Sequence, residues 1–487
     1  MDPIRPTKVI PILPVNNPRL GAGSEDWVPM DQAQGKVYSR AVGGVFARLR
    51  WVMVWVTQLV FYGIPWLQWN GRQAVLFDLA DGRFFIFGLV LHPQDLIYLA
   101  ALMVIAALTL FFFTAVAGRL WCGYACPQTV YTEIFLWLER VTEGDRLARM
   151  RLDGARWSAE KFARKGAKQF LWISVSLITG FTFVGYFTPI HDLLTALFML
   201  ALSPWEWFWV LFYGFATYGN AGYLREQICK QMCPYARIQG ALTDMDSMVI
   251  AYDTARGEAR GSRSRSADLT TLGLGDCIDC TLCVQVCPTG IDIRNGLQNE
   301  CIACAACIDV CDEVMLKMGY PKGLIRYSSG KGMTDKLTVP QMVKRVWRPR
   351  VWFYGVLLLV AGSFFVGGLS TRKGFAVDVI KDRGTMSREL GNGDIENIYL
   401  LKVMNATESS QTYRVSAHGL PGLKLETQSE LGVAATDIGS LTVRLTLDAA
   451  AAGPYRGKAS SIRFRIETTQ QEQLLVVEEK STFVTPR

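Results

Sequence analysis

The residues of this chain best suited to chemistry are its twelve cysteines, and all of them fall in repeats. Eight form two runs: Cys277, Cys280, Cys283 and Cys287, with Pro288 following, and then Cys301, Cys304, Cys307 and Cys311. Both read CxxCxxCxxxC. Three thiolates at two-residue gaps can reach three corners of a cubane iron–sulfur cluster, and in two-cluster ferredoxins the fourth corner is filled by the other run. On that rule one 4Fe–4S cluster takes Cys277, Cys280, Cys283 and Cys311, and the other takes Cys301, Cys304, Cys307 and Cys287. Two such clusters form a one-electron relay. Zinc sites use paired CxxC rather than triplets, and disulfides need an oxidising compartment. Asp312 follows Cys311 where the standard run has proline; this alters the loop but removes no ligand.

The other four cysteines repeat too. Leu120–Pro127 reads LWCGYACP and Gln227–Pro234 reads QICKQMCP, so CxxxCP occurs twice. Cysteines four apart are expected to share one helical face, which would let Cys122 pair with Cys126 and Cys229 with Cys233. Met232 adds a thioether, and soft sulfur ligands favour Cu(I). Each proline suits the start of a new helix. Buried free cysteines also serve simply as small hydrophobes; the duplication argues for more. Copper binding, dithiol–disulfide cycling and a third cluster all remain open for these four.

These cysteines need elements to position them. Half of the 487 residues are hydrophobic and 19% are charged, and the apolar residues clump. Five stretches are long enough, or nearly so, to cross a bilayer as helices: about Trp51–Trp69, Leu96–Ala117, Phe170–Phe187, Trp205–Tyr223 and Val351–Leu369. Leu193–Leu202 is too short and reads as an interfacial segment. Each CxxxCP follows a predicted span, the second and the fourth. A parallel repeat of helix, loop, helix and CxxxCP would gather the four thiols at one membrane face. Lys and Arg concentrate before the first span, after the second and before the fifth, which places those segments inside by the positive-inside rule. The N-terminus and the iron–sulfur segment are then cytoplasmic and the C-terminus outside, in a multi-pass protein of a bacterial inner membrane. The net charge of +8 needs no nucleic acid, since topology and anionic lipid account for it.

The predicted organisation is a cytoplasmic tail over 1–45, without the apolar core of a cleaved signal, and a four-helix membrane region over 46–240. A linker over 241–270, mobile across the Arg- and Gly-rich Thr254–Ser266, leads to an α+β two-cluster ferredoxin module over 271–330. A second linker and the fifth helix occupy 331–370. An all-β, immunoglobulin-like sandwich fills 371–487, on the alternation in Ile398–Met404, Leu441–Leu447 and Ser461–Ile466. Tyr131–Met150 reads as one amphipathic helix along the inner membrane surface. Only three histidines occur, and neither CxxCH nor a nucleotide fingerprint is present, which argues against haem and a bound nucleotide. Asp95 and Glu206, at outer helix edges, read as interfacial.

With these residues in view, the chain resembles the CcoG/FixG/RdxA family of cytochrome oxidase accessory proteins. The carriers are WCGYACPQTVYTEIF from Trp121, REQICKQMCPYAR from Arg225, DCIDCTLCVQVCPTGIDIRNG from Asp276 and ECIACAACIDVCDEVMLKMGYPKGLIRY from Glu300. The resemblance implies reduction of Cu(II) to Cu(I) on the cytoplasmic side during assembly of a cbb3-type oxidase. Copper would be substrate or bound ion at Cys122, Cys126, Cys229 and Cys233, the catalytic set. The expected partners are membrane lipid, a cytosolic electron donor or quinol, a copper chaperone or copper-exporting ATPase, the oxidase assembly factors and a second copy of the chain in a homodimer. A quinol-linked electron conduit and a non-enzymatic assembly scaffold are the rival readings.

Overall fold

The computed structural model describes residues 37–265, 273–382, 387–427, 429–470 and 473–486. The expected tail up to residue 36 and part of the expected linker, 266–270, lie outside them. Among the described residues four helices are long and apolar enough to cross a membrane: Val45–Trp66, Pro93–Ala117, Ala159–Val184 and Pro349–Ser370. Their outward faces carry large apolar side chains, such as Ile97 and Phe364, at 72% and 78% exposure, as a lipid-facing surface requires.

The helices are α1 (Val45–Gly63), α2 (Leu96–Ala117), α3 (Leu120–Tyr124), α4 (Pro127–Glu143), α5 (Arg146–Gly154), α6 (Ala159–Val184), α7 (Ile190–Phe198) and α8 (Pro204–Thr217). α6 packs along α8, and α2 along the Pro349–Ser370 helix. The expected span Trp205–Tyr223 is α-helical for only 14 residues in α8 and then widens into a π-helix over Tyr218–Leu224. α7 buries Ile190 and Leu193 while Phe198, Met199 and Leu200 stay exposed, which suits an interfacial helix. Asp95 is tied to Arg372 at 3.1 Å and Glu206 closes a capping box with Ser203, so both serve structure at helix ends.

The single amphipathic helix expected over Tyr131–Met150 is two. Gly144, at φ 88°, ends α4, and α5 starts after Asp145; the left-handed backbone there suits glycine. α4 is also no surface helix, because Phe135, Leu138 and Glu139 are buried and Phe135 packs against Trp172 of α6 with ring centroids 5.1 Å apart. The expected linker is largely structured as well. Strand Met248–Tyr252 pairs antiparallel with Ile325–Ser329, so the ferredoxin fold starts before residue 271. Its β-branched Val249 and Ile250 and aromatic Tyr252 suit a strand.

After the last membrane helix the chain forms two antiparallel sheets. Ile438–Leu447 and Ile395–Asn405 are central in a five-stranded sheet, and Gln411–His418 and Ala459–Gln470 in a four-stranded one. Their inward residues, including Tyr399, Leu401, Val443 and Phe464, are fully buried in one core, the packing expected of a sandwich. A feature absent from the sequence reading is a small sheet of Val75–Asp78, Arg83–Ile86 and Leu89–Leu91 between α1 and α2. The neighbouring turn holds the sandwich, with Trp69 Nε1 donating to Glu408 at 3.1 Å and Arg72 pairing with it at 3.2 Å. The opposite end of α1 meets the ferredoxin fold, where Asp309 accepts the Phe46 and Ala47 N–H groups at 3.2 and 2.7 Å. The sandwich and the iron–sulfur module therefore stand at opposite ends of α1.

Candidate metal centre

The two cysteine runs fold as two similar loops. Asp279 and Thr281 flank Cys280, Ala303 and Ala305 flank Cys304, and these four non-glycine residues have φ between 53° and 60°. Left-handed residues on both sides of the middle cysteine curl the loop so that its three thiols can face one centre. Such conformations persist only where the surroundings hold them. Here Tyr327 donates to the Ala303 carbonyl at 2.7 Å, and Arg50 of α1 donates to the Cys304 carbonyl at 2.6 Å.

The runs then diverge. Pro288 follows Cys287, and the first loop keeps only the short helix Leu282–Gln285. Asp312 follows Cys311, and the second run continues through it as the helix Ala306–Met318. A proline there would remove a helical hydrogen bond; the aspartate instead accepts the Gly323 N–H at 2.9 Å, pinning the chain that returns to the sheet.

A cavity of about 20 Å³ is lined by Cys277, Cys280 and Cys283 together with Cys311 from the other run. Burial pushes the Cys311 thiol up to about 12, with Cys283, Cys277 and Cys280 adding to it. Burial likewise pushes Cys301 up to about 12, opposed by a hydrogen bond from the Ala303 backbone and reinforced by Cys304 and Cys287, and Cys287 also raises Cys304 and Cys307 after the larger effect of burial. The fourth cysteine of each run thus sits among the first three of the other. Thiols around two loops of this shape fit 4Fe–4S clusters, whose binding displaces the thiol protons.

The four CxxxCP cysteines also come together. Burial pushes Cys122 up to about 11, with Cys126 and Cys233 contributing, and Cys229 up to about 12, with Cys126, Cys122 and Cys233 contributing. The expected shared helical face is absent, however. Cys122 lies in α3, whereas Cys126 is an extended residue at φ −63°, ψ 128°, capping α4. Cys229 lies in a π-helical turn, and Cys233 is extended at φ −75°, ψ 112°, before the helix Pro234–Leu242. The cause is the following proline in each motif, which disfavours helical backbone at the residue before it. Met232 is 63% exposed and does not join the partly buried thiols.

Gly123, inside the first motif, sets the position of this group. A Cβ there would lie 2.8–2.9 Å from backbone atoms of Ile302 and Ala303, so glycine lets the motif rest directly on the second cysteine loop. Cys122 and Cys229 pack against the buried group formed by Val286, Ile302, Cys304, Ala306 and Val310. Cys122 Sγ donates to Gln239 Oε1 at 3.5 Å. Among the described residues no three His, Cys, Asp or Glu side chains converge on a single ion position. A cubane does not require this, since each iron takes one thiolate, and a two-coordinate Cu(I) needs only a pair.

Sequence reasoning missed Arg50, Gly123, Asp309 and Tyr327, which hold the loops. It also missed a buried ion network, in which Glu139 bonds Arg149 at 2.6 Å and Arg225 at 2.7 Å. Burial opposes ionisation of Glu139, but Arg225 and Arg149 outweigh it and hold the carboxyl below its usual range.

Apolar helices bearing a two-run cysteine fold at one end and an all-β sandwich at the other define a membrane-bound iron–sulfur electron-transfer protein. Family models agree. Residues 224–330 match a 4Fe–4S dicluster domain, 99–142 a 4Fe–4S binding domain, and 365–486 the IG-like fold at the C-terminal of FixG. Protein RdxA of Cereibacter sphaeroides is 37% identical over 451 residues, covering 90% of this chain and 95% of the relative. Nitrogen fixation protein FixG of Rhizobium meliloti is 34% identical over 424 residues, 81% of each chain. A crystal structure of a FixG-related protein from Vibrio parahaemolyticus covers 23% of this chain and 98% of its own, at 22% identity and TM-score 0.20. The chain belongs to the CcoG/FixG/RdxA family.

Proposed function

We propose that this protein is a cupric reductase of the bacterial inner membrane, acting on the cytoplasmic side in assembly of a cbb3-type oxidase. The observation that carries the reading is the seating of the first CxxxCP motif on the Ile302–Ala303 backbone. It puts a group of soft sulfur donors beside a cysteine loop suited to a cluster. In this reading Cys277, Cys280, Cys283 and Cys311 hold one cluster and Cys301, Cys304, Cys307 and Cys287 the other. The bound clusters supply single electrons, one of which converts one Cu(II) to Cu(I). A pair drawn from Cys122, Cys126, Cys229 and Cys233 holds the copper, loses its thiol protons to solvent as the metal binds, and as a soft donor set stabilises the Cu(I) product. The four membrane-crossing helices, joined by α8 and its π-helical extension as a fifth, set the cysteine face inside and the sandwich outside. Electrons enter from a cytosolic donor or quinol, and copper leaves to a chaperone or exporting ATPase.

The test mixes anaerobic, fully reduced protein with Cu(II) and follows cluster oxidation and Cu(I) together. Matched rates and one electron per copper are expected. Replacing all four CxxxCP cysteines with serine should abolish rapid reduction while the cluster spectrum persists; an unchanged rate sinks the assignment. A second reading is favoured by the 4Fe–4S match over 99–142, which contains only Cys122 and Cys126. A cluster there would need Cys229 and Cys233 from the other motif. Iron analysis separates the two: about eight irons per chain for two clusters, about twelve for three.

A further inference from the structure

A cavity of about 60 Å³ lies against both Cys229 and Cys304, between the thiol group and the second cysteine loop. Its walls carry five guanidinium groups, from Arg40, Arg50, Arg140, Arg149 and Arg225. Glu133 and Glu226 also line it, and Glu139 stands behind, bonded to Arg149 and Arg225. Five cations thus meet three carboxylates. Arg50, Arg149 and Arg225 are only 7%, 1% and 9% exposed. Among the described residues Nε of Arg50 and Nε of Arg149 have no hydrogen-bond partner, although Arg50 also grips the Cys304 carbonyl at 2.6 Å. Uncompensated buried cations are costly, and guanidinium donors match the planar oxygens of carboxylates and phosphates. A cavity of this charge repels an aquated cupric ion and attracts an anion.

We propose that this cavity receives the anionic oxygens of a copper chelate. The substrate is then Cu(II) carried in a negatively charged carboxylate complex, docked by its oxygens among the arginines with its metal toward Cys229. This rests on the copper-reductase reading and names its substrate class.

Full-length reduced protein is given Cu(II) either as its anionic citrate complex or as its cationic bis-ethylenediamine complex. The citrate complex should show a KM at least about tenfold lower, the ratio for one charge-assisted contact. Arg40→Gln combined with Arg140→Gln, which leaves the Arg50 contact to Cys304 intact, should raise the citrate KM about tenfold without raising that of the cationic complex. Inorganic phosphate should compete with citrate. With copper absent, it should also perturb the paramagnetic signal of the reduced protein, and the Arg40→Gln and Arg140→Gln double substitution should abolish that response at full iron content. Equal KM values for the two complexes, unmoved by the double substitution, overturn the cavity proposal while copper reduction stands. Reduction of neither complex defeats the copper reading instead, and the phosphate response then decides by itself whether the cavity is an anion site.

Discussion

The chain contains two duplications of cysteine, and the structure builds them by different means. In the CxxCxxC runs, left-handed residues on each side of Cys280 and Cys304 bend one continuous loop, and the fourth thiol arrives from the partner run. In the CxxxCP motifs the proline splits each pair between two elements. Cys122 and Cys229 stay in helical turns, while Cys126 and Cys233 become extended caps of the next helix. A local loop is enough to prepare three ligands, and its spacing announces the cluster. The second design prepares nothing locally. Its four thiols meet only because two segments far apart in sequence pack on the same ferredoxin loop, so its ligand is far less legible.

The comparison is broken most severely at the clusters. Cys304→Ala removes a ligand from the loop that Arg50 and the CxxxCP group both touch, and should cost about half the iron and essentially all copper reduction; iron analysis with single-turnover kinetics checks both. Gly123→Ala should leave both sets of cysteines chemically intact but force the first motif off Ile302–Ala303. A loss of about 1–3 kcal/mol is expected, as for overpacked interiors, with slower copper reduction than in wild type; thermal unfolding and stopped-flow rates measure these. Asp309→Ala removes the acceptor for two α1 N–H groups and should cost about 1 kcal/mol, as for lost helix caps, seen in thermal unfolding at unchanged iron content.

The pH dependence sharpens the same contrast. In metal-free protein Cys122 and Cys229 ionise only near 11 and 12. Their alkylation at pH 8 should be slow and should rise about tenfold per pH unit, since the thiolate is the nucleophile. Above the ordinary thiol value an unfolded chain loses protons that the folded chain keeps, so stability of the metal-free protein falls as pH rises from about 9 toward 11 or 12. The smallest effect concerns the far end of α1. Glu408→Ala cuts the Trp69 and Arg72 contacts to the sandwich and should change copper reduction by less than about twofold, because exposed ion pairs contribute little.

Several elements were readable in advance for simple reasons. α2 runs over Leu96–Ala117, the stretch expected from continuous apolar residues, and the sandwich strands extend the alternating segment Ile398–Met404 at both ends and Leu441–Leu447 at its start. The errors have equally particular causes. Gly144 breaks an otherwise periodic helix, the prolines after Cys126 and Cys233 override the four-residue spacing, and α8 loses α-helical form after Thr217. Met248–Tyr252 was hidden because a five-residue strand has no meaning until Ile325–Ser329 pairs with it.

The sequence by itself determined the donor atoms, the cluster-forming spacing, the apolar helices and the alternating strands, because each depends on residues near one another along the chain. The tertiary structure decided how each CxxxCP pair is split between two elements, that the first motif seats on the second cysteine loop, and that arginines from α1, α4, α5 and the Arg225 segment surround the cavity beside it. Those are relations between segments brought together only by packing, where a glycine at position 123 and a carboxylate at position 309 set the approach and no local pattern records it.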